Sequence, residues 1–531
     1  MRSRKLGIAV AIFFLICLGL AARSEAIYID DAKTLQFTAK AQAKVSFRMN
    51  NAEGYTYPNV RVGDLVQQRN LVVLQVDHDL SELKQRVGLL YPLKALKIEA
   101  KYRLVGRFMY EGIYDYGPQI FQDTKDRDKE NITSFSQQYE LWEFYLDLSR
   151  GPWFLRIGKQ NLAWGEADTF RLLDGINPLD NTFGGPFEDL DDRRIPLWMI
   201  RGNYDLGGVG PISSLMVEGF WVPGNWDTRV SPISPAGTPF AAPVPIETLA
   251  FSRYFYPEKK MSNSRWGVRL QGLVGTSLNL TLAHYKSFPD VPATRTVVLE
   301  EVPILLDPSL VMGETTFPSI QITGGSLSYW ESHIDAIIRA EVAYVWDEPV
   351  FIPEENLAPL YGPGIPLPPP LQDLIGLSQI PINPQSGTIP KKDFFRYMIG
   401  IDKTVWIRPL NPKSTFLVSM QYFGSWVQDY DDRLVLGLPI YPSTTEYPKL
   451  YELEQIITLL VGTTYLSGSL TPQLVLSYDV RGAWLFATAL NYVWEPFRFG
   501  ISYAAIEGNF TGLGVMRDRD QLSFLVTYLL N

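Results

Sequence analysis

Cysteine is almost missing from this chain. The single one among 531 residues, Cys17, lies in an apolar N-terminal stretch. The rest of the chain therefore has neither disulfides nor thiolate chemistry. Histidine is nearly as scarce: only His78, His284 and His333 occur, and no two stand at metal-ligand spacing. No Gly-x-Ser-x-Gly element is present, so the usual nucleophile elbow is excluded. These absences read as a non-enzyme with no cofactor and no bound metal. Beyond the N-terminal stretch no run approaches about 18 uninterrupted apolar residues, which excludes membrane-spanning helices. A basic surplus is missing too. The net charge is −9, which leaves no electrostatic footprint for nucleic acid.

The first 26 residues have the form of a secretory signal. Arg2, Arg4 and Lys5 are followed by an apolar core from Leu6 to Leu20 and a small-x-small site at Ser24-Glu25-Ala26. Ile16 before Cys17 argues against a lipoprotein signal. Residues 27–531 are then expected to form one exported domain.

The first stretch of that domain sets its class. From Leu35 to Met49 odd positions are apolar (Leu35, Phe37, Ala39, Ala41, Ala43, Val45, Phe47, Met49) and even positions polar. Strict alternation means one strand with two different faces. Its length exceeds the usual strand of about 5–6 residues and suits a tilted membrane-spanning strand of about 9–11. The pattern returns around Leu96–Tyr110, Ile338–Trp346, Phe395–Ile401 and Leu522–Leu530. Marked throughout, it predicts eighteen strands, the second near 70–80 and the third near 94–110, with sixteen strands as the fallback count. Connections after even-numbered strands are mostly short and those after odd-numbered strands mostly long. Residues 81–93 and Gly482-Ala483 are the exceptions. Short turns at one end and long loops at the other are the mark of an all-β transmembrane antiparallel β-barrel, with long extracellular loops and short periplasmic turns. Among the long loops, 348–391 contains the proline-rich run Gly362–Pro370, which cannot join a ladder.

One connection differs from the rest. Residues 162–194 join the fifth and sixth predicted strands and are acidic, with Glu166, Asp168, Asp174, Asp180, Glu188, Asp189, Asp191 and Asp192 against Arg171, Arg193 and Arg194. Apolar residues recur within it, including Leu162, Trp164, Phe170, Leu172 and Ile176, as a disordered linker's would not. The acidic run lacks the spacing of a dedicated calcium loop. Positions out of phase with the apolar strand faces are strongly basic: Lys40, Lys44, Arg48, Lys97, Lys101, Arg103, Arg107, Arg156, Arg269, Arg339, Arg396 and Arg498. The expectation is an acidic loop held inside a basic lumen wall and forming a pore constriction, since clusters of charge set pore selectivity. On that expectation, Lys101 or Arg339 could be replaced by Gln with the fold nearly intact.

The run Leu155-Arg156-Ile157-Gly158-Lys159-Gln160, then Trp164-Gly165-Glu166 and Ile176-Asn177-Pro178-Leu179-Asp180, resembles the signature of the bacterial family called domain of unknown function 1302. Leu282-Ala283-His284-Tyr285 and Gly400-Ile401-Asp402-Lys403 agree with it. The resemblance implies a location in the Gram-negative outer membrane, and association with export systems of the resistance-nodulation-division (RND) type and periplasmic partners. It carries over no catalytic residues. The function expected is a porin-like channel passing small solutes, seated in outer-membrane lipid. The alternatives are an outer-membrane component of an RND-linked system exporting lipid or hydrophobic compounds, and a surface adhesion or scaffold barrel.

Overall fold

The computed structural model describes residues 27–51, 60–235, 237–241, 252–298, 311–356, 364–366, 379–381, 388–437 and 447–530. The signal segment 1–26 lies outside them, as does all of Gly362–Pro370 except 364–366.

Eighteen strands form one closed antiparallel barrel. They are β1 Leu35–Arg48, β2 Leu65–Asp79, β3 Glu99–Glu111, β4 Gln137–Arg150, β5 Trp153–Gln160 and β6 Leu197–Val209. Next come β7 Ile212–Val222, β8 Arg265–Val274, β9 Leu278–Ser287, β10 Ile320–Glu331, β11 Ala336–Pro349 and β12 Lys391–Val405. The last are β13 Phe416–Val427, β14 Leu453–Gly462, β15 Leu470–Asp479, β16 Ala483–Trp494, β17 Phe497–Gly508 and β18 Gln521–Leu530. Each strand pairs with its neighbours in sequence, and β18 closes on β1 from Ala39 opposite Leu530 to Arg48 opposite Gln521. Closure leaves no strand with one edge open along its whole length.

Alternation decides which residues face in. On β9, Leu280 and Leu282 are exposed while Thr281, Ala283 and Tyr285 between and beyond them are buried. On β11, Val342 and Trp346 are exposed while Glu341, Ala343 and Val345 are buried. Exposed tryptophans ring the outer surface at two levels. Trp153 and Trp494, with Tyr492 and Phe499, sit at the short-turn end, and Trp221, Trp266, Trp346, Trp426 and Trp484 near the long-loop end. Trp484 and Trp494 lie ten positions apart on β16, about 25 Å of height for a strand rising ~3.3 Å per residue at a tilt of ~40°. That is the height of an apolar band between two aromatic girdles. Among the described residues no helix is long and apolar enough to cross a membrane.

Two expectations need correction. Strand β2 begins at Leu65 rather than near 70, because Gln67 and Gln68 break the alternation without breaking the ladder. Lys97 is not on the lumen wall. It lies in the connection before β3, is exposed, and has φ 53°. The short helix Tyr91–Ala95 leads into that left-handed residue, so the alternation that placed Lys97 on a strand starts only at Glu99.

At the long-loop end, adjacent strands finish within four residues of one another at every pair but one. Between β4 and β5 the pairing stops at Phe144 opposite Lys159. Residues 137–143 of β4 therefore have a strand partner only on the β3 side. The chain leaves the wall early here, and residues 161–196 follow.

Candidate functional site

The segment 162–194 is anchored by buried side chains from far around the barrel. Trp164 is 2 % exposed. Its indole N–H donates to Glu218 Oε2 at 2.9 Å, and its ring meets Phe220 and Tyr285 edge-on. Glu218, on β7, also receives Arg201 and Arg269, so a fully buried carboxylate is matched by two guanidiniums and an N–H, as burial demands. Glu341 on β11 accepts three backbone N–H groups: Glu166 at 2.6 Å, Ala167 at 3.2 Å and Leu173 at 2.6 Å. The Tyr285 hydroxyl accepts from Gly175 N and donates to Leu173 O. A Cβ at Gly175 would stand 2.9 Å from that hydroxyl, so the close approach needs glycine. Leu173 and Ile176 are wholly buried in the same apolar cluster as Met199, Val345 and Met398.

The other end of the segment meets the opposite wall. Glu188 binds Lys44 of β1 at 2.5 Å and Arg69 of β2 at 2.8 Å. Burial raises the Glu188 carboxyl, but Arg69 and Lys44 outweigh it and bring the group down to about 2. The Arg69 and Arg107 guanidiniums lie 3.6 Å and 4.3 Å from the centre of the Phe183 ring, within cation–π range. Residues 162–194 thus span the interior from β7–β13 to β1–β3.

The acidic and basic residues singled out in this segment are mostly matched. Asp168 binds Arg339 at 2.6 Å and Gln421 Nε2 at 2.8 Å, and Arg339 also holds Asp402. The Arg339 guanidinium donates to Glu166 O at 2.7 Å. Arg171 pairs with Asp290. Arg194 pairs with Asp174 and Asp191. Arg193 reaches Asn181, and Asp180 accepts from Thr182 N. Asp192 lies 3.8 Å from Lys40 and its carbonyl accepts from Arg107. No ion pair reaches the Asp189 carboxylate among the described residues, and it is exposed to the interior space. Enclosure raises its pKa, and the nearby Asp192 and Glu188 carboxylates raise it further.

The remaining basic wall residues are matched by strand neighbours rather than by the segment. Arg103 meets Glu143 and Asp77, Arg156 meets Asp147, Arg396 meets Glu348, and Lys101 meets Asp79. Arg48 donates to Asp518 O. Arg498 is exposed at the short-turn end of β17.

One side of the barrel is left unfilled. A cavity of about 950 Å³ lies between the segment and β13–β18. Of the residues named from sequence, it brings together Lys44, Asp168, Arg171, Glu188, Asp189, Asp192, Arg193 and Arg396. Glu166, Asp174, Asp180, Asp191 and Arg194 do not line it, nor do Lys40, Arg48, Lys101, Arg103, Arg107, Arg156, Arg269, Arg339 or Arg498. Sequence reasoning missed Arg69, Asp290, Glu218 and, Arg498 apart, the inner face of β14–β18. That face is mostly small or neutral, with Val475, Leu485, Ala487, Ala489, Ser502, Ala504, Ser523 and Leu525 among its residues. Its inward phase was readable, but not what it would face.

The histidines do not converge. His78 contacts Tyr102, His284 contacts Thr323, and His333 contacts Glu331. Among the described residues no three His, Cys, Asp or Glu side chains are grouped to hold a metal ion.

The family profile described as "Protein of unknown function (DUF1302)" matches residues 6–530. The chain belongs to that family. No curated protein matches it. Solved structures similar to it include Pseudomonas aeruginosa OccK3 (OpdO), at TM-score 0.45 and 9% identity over 93% of this chain and 95% of that one. The outer membrane protein opdK from Pseudomonas aeruginosa gives 0.43 and 10% over 93% and 98%. Acinetobacter baumannii OccAB4 gives 0.44 and 10% over 93% and 97%. Likeness at this level carries no weight for what passes through this DUF1302 barrel.

Proposed function

We propose that this DUF1302 protein is a porin-like channel of the Gram-negative outer membrane that passes small solutes. Its long loops then face outside, and its short turns and both described ends of the barrel face the periplasm. The membrane setting rests on the two tryptophan girdles and the exposed apolar band between them. The observation that carries the channel reading is the cavity of about 950 Å³ beside the anchored segment. It extends along β17 from Gly500 to Ile506 and up to Gly512 and Met516 in the following loop. The segment 162–194 acts as the constriction: it narrows the lumen and puts charge on one side of the path. A scaffold or adhesion barrel has no need of that space.

Single-channel recording in a planar bilayer tests the reading. Discrete conductance steps are expected, and Ala487→Trp, which projects into the cavity, should lower them at least severalfold. A purified, folded barrel that never conducts would sink the proposal.

The export reading has one observation in its favour, the unpaired edge of β4. Tyr139 and Leu141 on that edge are exposed on the outer face. Lys159 reaches across to Leu141 O, and its ammonium lies 5.9 Å from the Trp142 ring. Trp142 in turn meets Arg107 from inside at 4.0 Å. One indole and one lysine therefore separate lumen from lipid at this point. Faster transfer of a hydrophobic fluorophore into vesicles on Lys159→Ala, with conductance unchanged, would favour a lateral exit.

A further inference from the structure

The cavity wall has two unlike sides, and their chemistry selects a class of solute. On β15–β18 the facing positions are small: Ala487 lies opposite Ala504, and Ala489 opposite Ser502. Val475, Leu485 and Leu525 add apolar surface. No lysine or arginine of β14–β18 lines the cavity, and Glu454 is the one carboxylate these strands give to its rim. This side can hold an apolar body but cannot bind an anion.

The segment side is polar, and its charges are unevenly matched. Lys44 and Arg69 share Glu188, Arg171 is held by Asp290, and Arg396 by Glu348. Among the described residues Asp189 has no such partner, and Asp192 has Lys40 alone, at 3.8 Å. Arg193, also at the cavity, is buried and spends its N–H groups on Asp180 O and Asn181 Oδ1. The exposed charge left without an ion-pair partner among the described residues is therefore the Asp189 carboxylate, in an enclosure where charges interact more strongly than in bulk water. A second, independent feature also points to a ligand. Arg69 is 3 % exposed and lines the cavity, and its Nη2 is taken by Glu188, yet its Nε and Nη1 have no acceptor among the described residues. A buried N–H without an acceptor is costly, and a solute oxygen would relieve it.

We propose that the passage selects amphipathic amines that carry a neighbouring hydroxyl or carbonyl oxygen. The apolar body lies on β15–β18, the ammonium faces Asp189 and Asp192, and the oxygen accepts from Arg69. This inference rests on the channel reading for transport, but the binding it predicts can be measured without conduction.

Four probes test it by calorimetry on the detergent-solubilised barrel and by current block in a bilayer: 2-amino-1-phenylethanol, phenethylamine, ethanolamine and phenylacetate. The first should bind tightest. Ethanolamine, lacking the ring, should bind at least about tenfold more weakly, and phenylacetate weakest of all. Asp189→Asn with Asp192→Asn should erase the preference for amine over carboxylate while keeping the preference for the ring. Leu485→Gln with Leu525→Gln should do the reverse. Folding of each variant is checked by heat-modifiable gel mobility, and Asp189→Asn alone serves if a double variant fails to fold. Phenylacetate binding as well as the amines, or ethanolamine as well as the aromatic amine, overturns the proposal. Binding in the predicted order without conductance keeps the site and removes the channel.

Discussion

On β1–β3 and β7–β13 the inward side chains include the charged and aromatic groups that hold residues 162–194, among them Lys44, Arg69, Glu218, Tyr285, Arg339 and Glu341. On β14–β18 they are mostly small, neutral or apolar, with Glu454 at the rim, and face open space. The two regions share one ladder and one alternation, so they do not differ in how the wall is built. They differ in what the wall must hold. A segment that crosses the lumen carries buried backbone N–H groups and carboxylates, and each needs a partner. Glu341, Glu218, Arg69 and Lys44 are those partners. Where no segment lies, nothing calls for charge, and a neutral wall leaves a path.

The comparison breaks most visibly at Glu188. Glu188→Ala leaves Lys44 and Arg69 buried without their shared carboxylate. A loss of about 3–5 kcal/mol is expected, as for one partner removed from a buried ion pair, read by urea unfolding in lipid vesicles. The pH dependence has a defined sign. The folded group titrates near 2 against an ordinary value near 4.5. Its contribution is thus complete above about 4.5 and disappears as pH falls toward 2. Ser502→Ala on the open side should stay within about 0.5 kcal/mol. Similar losses at both sites would mean that the two sides are not distinct.

Next in size is the contrast between inside and outside. Val342 is exposed near the middle of β11, and Val342→Arg should cost about 2–4 kcal/mol at the bilayer midplane. Ala487→Arg, inward on the open wall, should fold nearly normally and shift selectivity toward anions. If both variants unfold alike, the apolar band does not face lipid.

Arg339→Gln follows. Phase alone made it a replaceable lumen residue, but its guanidinium holds Asp168, Asp402 and the Glu166 carbonyl. Losing charge-assisted hydrogen bonds of this kind costs about 1.5–3 kcal/mol each in typical cases. A clear fall in the urea midpoint is expected, where Lys101→Gln, paired only with Asp79 at an exposed rim, should change little. Equal midpoints for the two would return Arg339 to the class of solvated wall residues.

Arg339 also shows where sequence reasoning stopped. Period-2 alternation gave the number of strands, nearly all their positions and the face of each side chain, because one slip would turn every apolar residue inward. It says nothing about where around the barrel a residue lies. Glu188 meets Lys44 across 144 positions of chain, and Glu166 meets Glu341 across 175. Such pairs are set by the path of the segment through the lumen, not by local pattern. The acid–base contrast between 162–194 and the strands was legible. Its consequence, that matching would use up most of the basic surplus and leave unmatched acid at the cavity, needed the geometry. Arg69 was missed because Gln67 and Gln68 hide the start of its strand.

The smallest effect belongs to Lys97. Read by phase, it stood with Lys44 as part of a basic wall. Its φ of 53° and its exposure place it instead in the connection ahead of β3. A side chain in water there has no carboxylate to match and no solute to meet. Lys97→Gln should change stability by less than about 0.5 kcal/mol and leave the reversal potential in a salt gradient where it was. Lys44→Gln removes a cation from the cavity rim and should move that potential toward cation preference. The move should be largest at low salt, because the Debye length falls from about 10 Å at 0.1 M to about 3 Å at 1 M. If Lys97→Gln moved the potential as Lys44→Gln does, the Lys97 ammonium would have to reach the permeating ion. The strand would then begin before Glu99, and the basic wall would extend to the short-turn mouth as alternation alone suggests.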